Sequence, residues 1–303
     1  MQDKARKTLF PLLASLIWGT SFAIQSFNYT GAFTFISIRN LVAFFFTLLL
    51  IFIFRKKGGR SPFLNNGKFD KRLIIGGILC GTALAFASFF QQLGIDNGTE
   101  SGKAAFITAM YIVFVPILGI FIKKHTPKIA WFCIFLGIIG LYLLCVTDGF
   151  SIKLSDIYVL ICSVLFALHI LLLDYFTPVC DNFKLSNLQF LTTCLITFVF
   201  ALFTEKFDAK AISDSLFAIF YLGIFSSGVA YTLQVFAQKD ANPALTALLL
   251  SMESLFGVIS SAIILGEVLT LKEYTGCAVM FIAVIICSMP EKFTKTNKVE
   301  KPD

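Results

Sequence analysis

Long, uninterrupted apolar runs constrain this chain more than any other feature. A helix needs roughly 20 apolar residues to cross about 30 Å of hydrocarbon. Ten such segments follow one another, at approximately Thr8–Phe27, Ala32–Phe54, Leu73–Ile95, Lys103–Ile122, Ile129–Val146, Ile157–Asp174, Leu185–Phe203, Leu216–Phe236, Pro243–Leu265 and Tyr274–Met289. In lipid the backbone must satisfy its own hydrogen bonds, which leaves helices or closed barrels. The runs do not alternate as barrel strands do, so the expected fold is an all-α polytopic membrane protein with about ten transmembrane helices. Composition agrees: 57% of the 303 residues are hydrophobic and 14% charged. A soluble domain has about 45–50% and about 25%.

The net charge of +7 is not read as a nucleic-acid signal, because the basic residues sort by side. With the N-terminus placed in the cytoplasm, 19 Lys and Arg fall inside and 5 outside, while Arg39 lies within a span. That split fits the positive-inside rule, an even number of spans and cytoplasmic termini. Lys4, Arg6 and Lys7 before an apolar run imitate a signal peptide. The run is long, holds Trp18 and Gln25 and lacks a small-residue cleavage site, so it is expected to be the first span. The eight cysteines lie in or beside apolar segments without a C-x-x-C pair, and are expected to pack as small apolar groups.

An internal repeat is also visible. Lys103 to Pro127 aligns without gaps to Thr246 to Thr270 in apolar profile and small residues, and Ser15-Leu16-Ile17-Trp18-Gly19 resembles Ser163-Val164-Leu165-Phe166-Ala167. Five spans per half is an odd number, so the second half would cross in the opposite sense. The expected organisation is a five-helix repeat over 1–150, its inverted counterpart over 151–290 and a cytoplasmic tail over 291–303. Inverted repeats are common in secondary transporters, with the substrate near the midplane where the halves meet.

The motifs Trp18-Gly19-Thr20-Ser21-Phe22, Arg39, Gln92-Leu93-Gly94-Ile95, Phe106-Ile107-Thr108-Ala109-Met110-Tyr111 with Val115-Pro116, Ser251-Met252-Glu253-Ser254 and Leu265-Gly266-Glu267 occur in that order. Together with the ten-span frame, they make the chain resemble the EamA group of the drug/metabolite transporter superfamily over essentially its whole length. Two departures stand out. Ser254 takes the place of a frequent Pro after the Glu of the ninth span, and Lys123-Lys124 that of a frequent Gly-Glu pair. The resemblance implies transport of amino acids, drugs or related metabolites, by export or sometimes uptake, across a bacterial cytoplasmic membrane.

Arg39 lies about eight residues into its span, so about 12 Å deep, where a charge is usually paired or faces a cavity. It could grip an anionic group in bidentate fashion, or pair with backbone carbonyls or snorkel. Glu253 sits near the midplane, about 15 Å along its helix. It could couple a proton, bind a substrate ammonium, neutralise Arg39 or cap hydrogen bonds between helices. If the two meet, the site suits a zwitterion. His169 could relay a proton or simply pack. Trp18, Gln92, Tyr111, Tyr231 and Gln234 are candidates for a substrate pocket, with Gln91 among the other polar residues at suitable depth. Pro116 removes a backbone hydrogen bond inside the fourth span and is a candidate hinge or a static kink.

No P-loop, nucleophile elbow, dinucleotide fingerprint or zinc spacing is present, so neither a cofactor nor a metal is expected. The expected partners are a small-molecule substrate and the lipid bilayer, with no obligate protein partner indicated. The alternatives to a carrier are an intramembrane or lipid-modifying enzyme, and a channel.

Overall fold

A computed structural model describes residues 2–53, 64–65, 68–145, 153–239, 241–265 and 270–288. The charged segment 55–60, Gly266-Glu267 and the tail 291–303 lie outside the described residues. In chain order the helices are α1 (Gln2–Gln25), α2 (Ala32–Ile53), α3 (Lys71–Asp96), α4 (Ser101–Ala109), α5 (Tyr111–Phe121), α6 (Lys128–Cys145), α7 (Leu154–Phe176), α8 (Asn182–Thr204), α9 (Ala209–Asp214), α10 (Leu216–Tyr221), a π-helical segment (Leu222–Tyr231), α11 (Thr232–Gln238), α12 (Pro243–Leu250), α13 (Met252–Leu265) and α14 (Leu271–Ser288). Among the described residues the only strands are Leu64–Asn65 and Lys68–Phe69, paired as a two-residue antiparallel hairpin.

All ten predicted apolar stretches are helical. Among the described residues eight helical stretches are long and apolar enough to cross a membrane, where ten spans were expected. The fifth predicted stretch contributes a shorter apolar helix, Lys128–Leu143, and the tenth corresponds to α14, of 18 residues.

Helix ends are set by local chemistry. Asp70, Asp181 and Asn242 accept from the first free N–H groups of α3, α8 and α12, and Pro243 follows Asn242 where its missing N–H costs nothing. The start of α2 is capped from far away in sequence. Glu205, just past α8, accepts from Phe33 N and Thr34 N at 2.8 Å each. A carboxylate at a helix N-terminus satisfies orphan donors and meets the positive end of the helix dipole.

Three predicted spans are broken internally. The fourth is interrupted at Met110, between α4 and α5, and the ninth at Ser251, between α12 and α13. The eighth changes from α to π geometry for ten residues and back. None of these interruptions falls at Pro116, the candidate hinge or kink. α5 runs through the proline, and the interruption lies six residues earlier. The break at Ser251 has no proline near it, so helix-on-helix packing rather than proline chemistry sets these positions. The broken helices cross with α4 against α13 and α5 against α12, and Ser254 Oγ donates to Ala105 O at 3.1 Å.

Helices from the two halves of the chain exchange neighbours. α1 packs on α12 and α13 of the second half, while α7 packs on α4 and α5 of the first. α2 packs on the π segment, α3 on α8, α2 on α8 and α6 on α14. Polar contacts between the connections form two separate sets. At one end lie Arg6 with Lys239 O, Asn242 with His125 O, and the Lys124–Asp174 ion pair. At the other lie Tyr29 N with Ser215, Glu205 with α2, and Asp156 with Thr99 and Lys103.

The side-chain distribution inverts that of a soluble protein. Phe45, Phe135 and Phe203 are among many exposed large apolar groups, whereas Asn40, Gln92, Asn187 and Gln189 are fully buried. Hydrocarbon solvates the first set, and the second must find partners between helices.

Candidate functional site

A small cavity, with about 40 Å³ open to the centre of a water-sized sphere, lies where the two halves meet. Its walls come from α1 (Trp18, Ser21, Phe22, Gln25), α2 (Arg39), α3 (Gln91), α4 and α5 (Thr108, Tyr111), α7 (Phe166, Ile170), the π segment and α11 (Ser226, Tyr231, Gln234), and α12 and α13 (Leu250, Glu253).

The α1 wall follows from helical spacing. Trp18, Ser21, Phe22 and Gln25 stand at i, i+3, i+4 and i+7, one face of a helix. Close approach of α1 to α13 allows this. A Cβ on Gly19 would lie 2.6 Å from Phe256 Cβ and 2.7 Å from Gly257 N, so only glycine fits the crossing. The Trp18 indole donates to Ser226 O, at 3.1 Å, in the π segment, and its ring lies 4.7 Å from that of Tyr231. Single π turns within α-helices often occur at functional sites. Here the π segment runs against α2 at Gly223, where a Cβ would meet Arg39 O at 2.8 Å.

The two charged residues share the cavity and do not pair. Arg39 is 4% exposed. One of its terminal nitrogens reaches Ser88 Oγ at 3.5 Å, its guanidinium lies 5.9 Å from the centroid of the Phe35 ring, and its Nε has no hydrogen-bond partner. Glu253 is also 4% exposed and accepts from the Tyr111 hydroxyl at 3.1 Å. The ion pairs among the described residues are Lys103–Asp156 and Lys124–Asp174; none joins Arg39 to Glu253. Leaving two opposite charges buried and separate is costly unless something else satisfies them.

Six of the eight predicted pocket residues line this cavity: Trp18, Arg39, Tyr111, Tyr231, Gln234 and Glu253. Gln92 and His169 do not. Gln92 donates to Asp96 Oδ1, one turn further along α3, at 2.8 Å. Its neighbour Gln91, about 100° around the helix, faces the cavity and donates to Thr108 Oγ1 at 3.2 Å. His169 is fully buried behind the cavity wall, with Nε2 3.0 Å from Gln189 Oε1 and its ring edge-on to Tyr231. Ser21, Gln25 and Thr108 went unpredicted. The signal for them was helical spacing, from Trp18 for the first two and from Tyr111, three residues on, for Thr108.

The arrangement offers a guanidinium for a carboxylate or phosphate, a carboxylate with a phenol for an ammonium, aromatic walls for an apolar body and amides for neutral polar groups. Among the described residues no three His, Cys, Asp or Glu side chains stand close enough to hold a metal.

Apolar helices long enough to cross a membrane, packed around a buried polar cavity, define the class as multi-pass helical membrane proteins. The model of the EamA-like transporter family matches the chain twice, over residues 6–146 and 153–289. The chain belongs to the EamA-like transporter family. It is 28% identical over 281 residues to an uncharacterized transporter of Archaeoglobus fulgidus, covering 91% of this chain and 84% of that one. Its fold matches a solved crystal structure with a TM-score of 0.76 at 14% identity, over 92% of this chain and 95% of the other. It is a multi-pass membrane transporter.

Proposed function

We propose that this transporter is a secondary carrier that exports small metabolites, amino acids or drug-like compounds with both charges, by alternating access. The observation that carries this reading is the unpaired Arg39 and Glu253 in one buried cavity built by both halves. A zwitterion would satisfy both at once: its carboxylate on the Arg39 fork, its ammonium on Glu253 and Tyr111, and its body against Trp18 and Tyr231. Glu253 doubles as the proton-coupling group in this scheme, and Pro116 and the break at Met110 give the α4–α5 pair places to flex.

The chain is read as ten spans in two inverted five-helix repeats, 1–150 and 151–290. Separate family matches to each half support this, as do the exchanged helix contacts. The two sets of connection contacts draw on alternate connections along the chain, which is the pattern ten crossings produce. With the excess of basic residues on one side, this supports cytoplasmic termini in a bacterial cytoplasmic membrane.

The test is counterflow in proteoliposomes with a panel of amino acids and other small metabolites, comparing wild type with Arg39→Ala and Glu253→Gln. Saturable exchange of one solute class, lost in both variants, is the expected result. Exchange that both variants preserve would overturn the site assignment. Non-saturating flux would favour a channel, and a chemically altered solute an enzyme.

A further inference from the structure

Below the cavity, three helices bring together buried polar groups that nothing in this conformation satisfies. On α8, Gln189, Ser186 and Asn182 stand at i, i−3 and i−7, one stripe of the helix. Gln189 Nε2, Ser186 Oγ and Asn182 Oδ1 each lack a hydrogen-bond partner. On α11, Gln234 and Gln238 are one turn apart, and the Oε1 of each is unpartnered. On α7, His169 has an unpartnered Nδ1. All six residues are more than nine-tenths buried.

Four of these groups adjoin one another around His169, and Ser186 and Asn182 continue the same face of α8. His169 Nε2 meets Gln189 Oε1 at 3.0 Å, and Gln238 Nε2 donates to Ile170 O, beside His169, at 2.8 Å. Gln234 and Ile170 belong to the cavity wall, and the His169 ring touches Tyr231, another wall residue. From Gln189 the α8 stripe runs seven residues, about 10 Å, to Asn182 at the start of the helix. That is the end of the bundle where the Lys124–Asp174 ion pair lies. Each buried polar atom left unpaired carries its desolvation cost with no hydrogen bond to offset it. A row of them between three helices is hard to account for as packing, since leucine at the same positions would pack without that cost. The row makes sense if another conformation of the cycle wets it.

We propose that His169, Gln189, Ser186, Asn182, Gln234 and Gln238 form a second, neutral hydrogen-bonding track that takes the hydrated solute between the cavity and the Lys124–Asp174 end of the protein. The track holds amides, a hydroxyl and an imidazole, with no Arg, Lys, Asp or Glu among the six. It can therefore hydrogen-bond a polar solute without holding it as the cavity's two charges do. That suits a path that must bind weakly enough to release. Gln234 belongs to both regions and is the point of handover. The track rests on the carrier reading for its direction of use, but its opening can be measured without any transported solute.

The experiment uses full-length protein in proteoliposomes with its native cysteines in place. Ser186→Cys and Gln189→Cys are compared with Ala201→Cys, equally buried on the same helix but about three turns beyond Gln189 and away from the track. A cationic methanethiosulfonate is the probe, and labelling at each introduced thiol is followed by peptide mass spectrometry. The Ser186→Cys change is nearly isosteric, which guards against misfolding. The expected result is labelling at 186 and 189 at least an order of magnitude faster than at 201. Labelling at 186 and 189 as slow as at 201 would overturn the track. Counterflow measured on the same preparations separates the two ideas. Fast labelling without saturable exchange would leave the track standing and count against the carrier.

Discussion

The Tyr111 hydroxyl donates to Glu253 at 3.1 Å, joining the start of α5 to the first turn of α13 in the middle of the bundle. Both residues follow directly on the breaks in their broken helices. The bond ties the two interruptions together and orients the cavity's only described carboxylate. Replacing Tyr111 by Phe removes the donor and leaves a buried carboxylate short of a partner, at a cost of about 1–3 kcal/mol. The expected outcome is a lower thermal unfolding midpoint in detergent, with part of the loss recovered when the transported solute is present.

Arg39→Lys keeps the charge and loses the planar fork. If the guanidinium grips a substrate anion through two hydrogen bonds, apparent affinity in counterflow should fall by roughly tenfold to a hundredfold, as the loss of one charged hydrogen bond predicts. An unchanged half-saturation constant would show that position 39 supplies only charge.

Gln91 and Gln92 differ only in direction. Gln91→Leu is expected to raise the half-saturation constant for the transported solute, because its amide lines the cavity. Gln92→Leu is expected to leave that constant alone and act on stability, since Gln92 serves Asp96. The reverse pattern would place the cavity on the wrong face of α3.

Gly19→Val should prevent stable folding. A Cβ there meets the backbone of α13, which cannot rotate away as a side chain can. Overpacking costs typically about 1–3 kcal/mol even where side chains can adjust. The check is the yield of monodisperse protein by size-exclusion chromatography, with Gly119→Ala, where a Cβ makes only an ordinary contact with Lys124 at 3.6 Å, as the comparison for glycine loss alone.

Asp156 accepts from Lys103 Nζ at 2.5 Å, Lys153 N at 2.7 Å and Thr99 Oγ1 at 3.1 Å. Asp156→Lys combined with Lys103→Asp restores opposite charges but supplies no acceptor for the Lys153 N–H. The double variant is expected to stay less stable than wild type in thermal unfolding. Full recovery would mean that the ion pair alone holds α4 to α7.

The chain's sequence was most informative where one-dimensional chemistry suffices. Apolar runs of span length became helices in all ten places, because an apolar stretch that long must satisfy its backbone internally wherever lipid surrounds it. The deep charges Arg39 and Glu253, the motif residues Trp18 and Tyr111, and Tyr231 were legible as pocket candidates because a polar group at that depth needs company. Helical spacing from Trp18 also held the α1 wall in readable form, although Ser21 and Gln25 were not drawn from it.

Other features depended on which helices meet. Adjacent glutamines have the same composition and nearly the same depth, and only the packing of α3 against α4 and α7 turns Gln91 to the cavity and Gln92 to Asp96. His169 looked like a pocket residue until the α8 register placed Gln189 against it. The breaks at Met110 and Ser251 arise where two helices cross, and the proline at 116 gave no guide to them. Sequence by itself therefore determined that the chain is helical, lipid-solvated and charged at two deep positions, since each follows from transfer of one segment between water and hydrocarbon. Tertiary structure alone decided that those two charges share a cavity without pairing. Their separation is set by how far apart α2 and α13 are held, a distance no local pattern encodes.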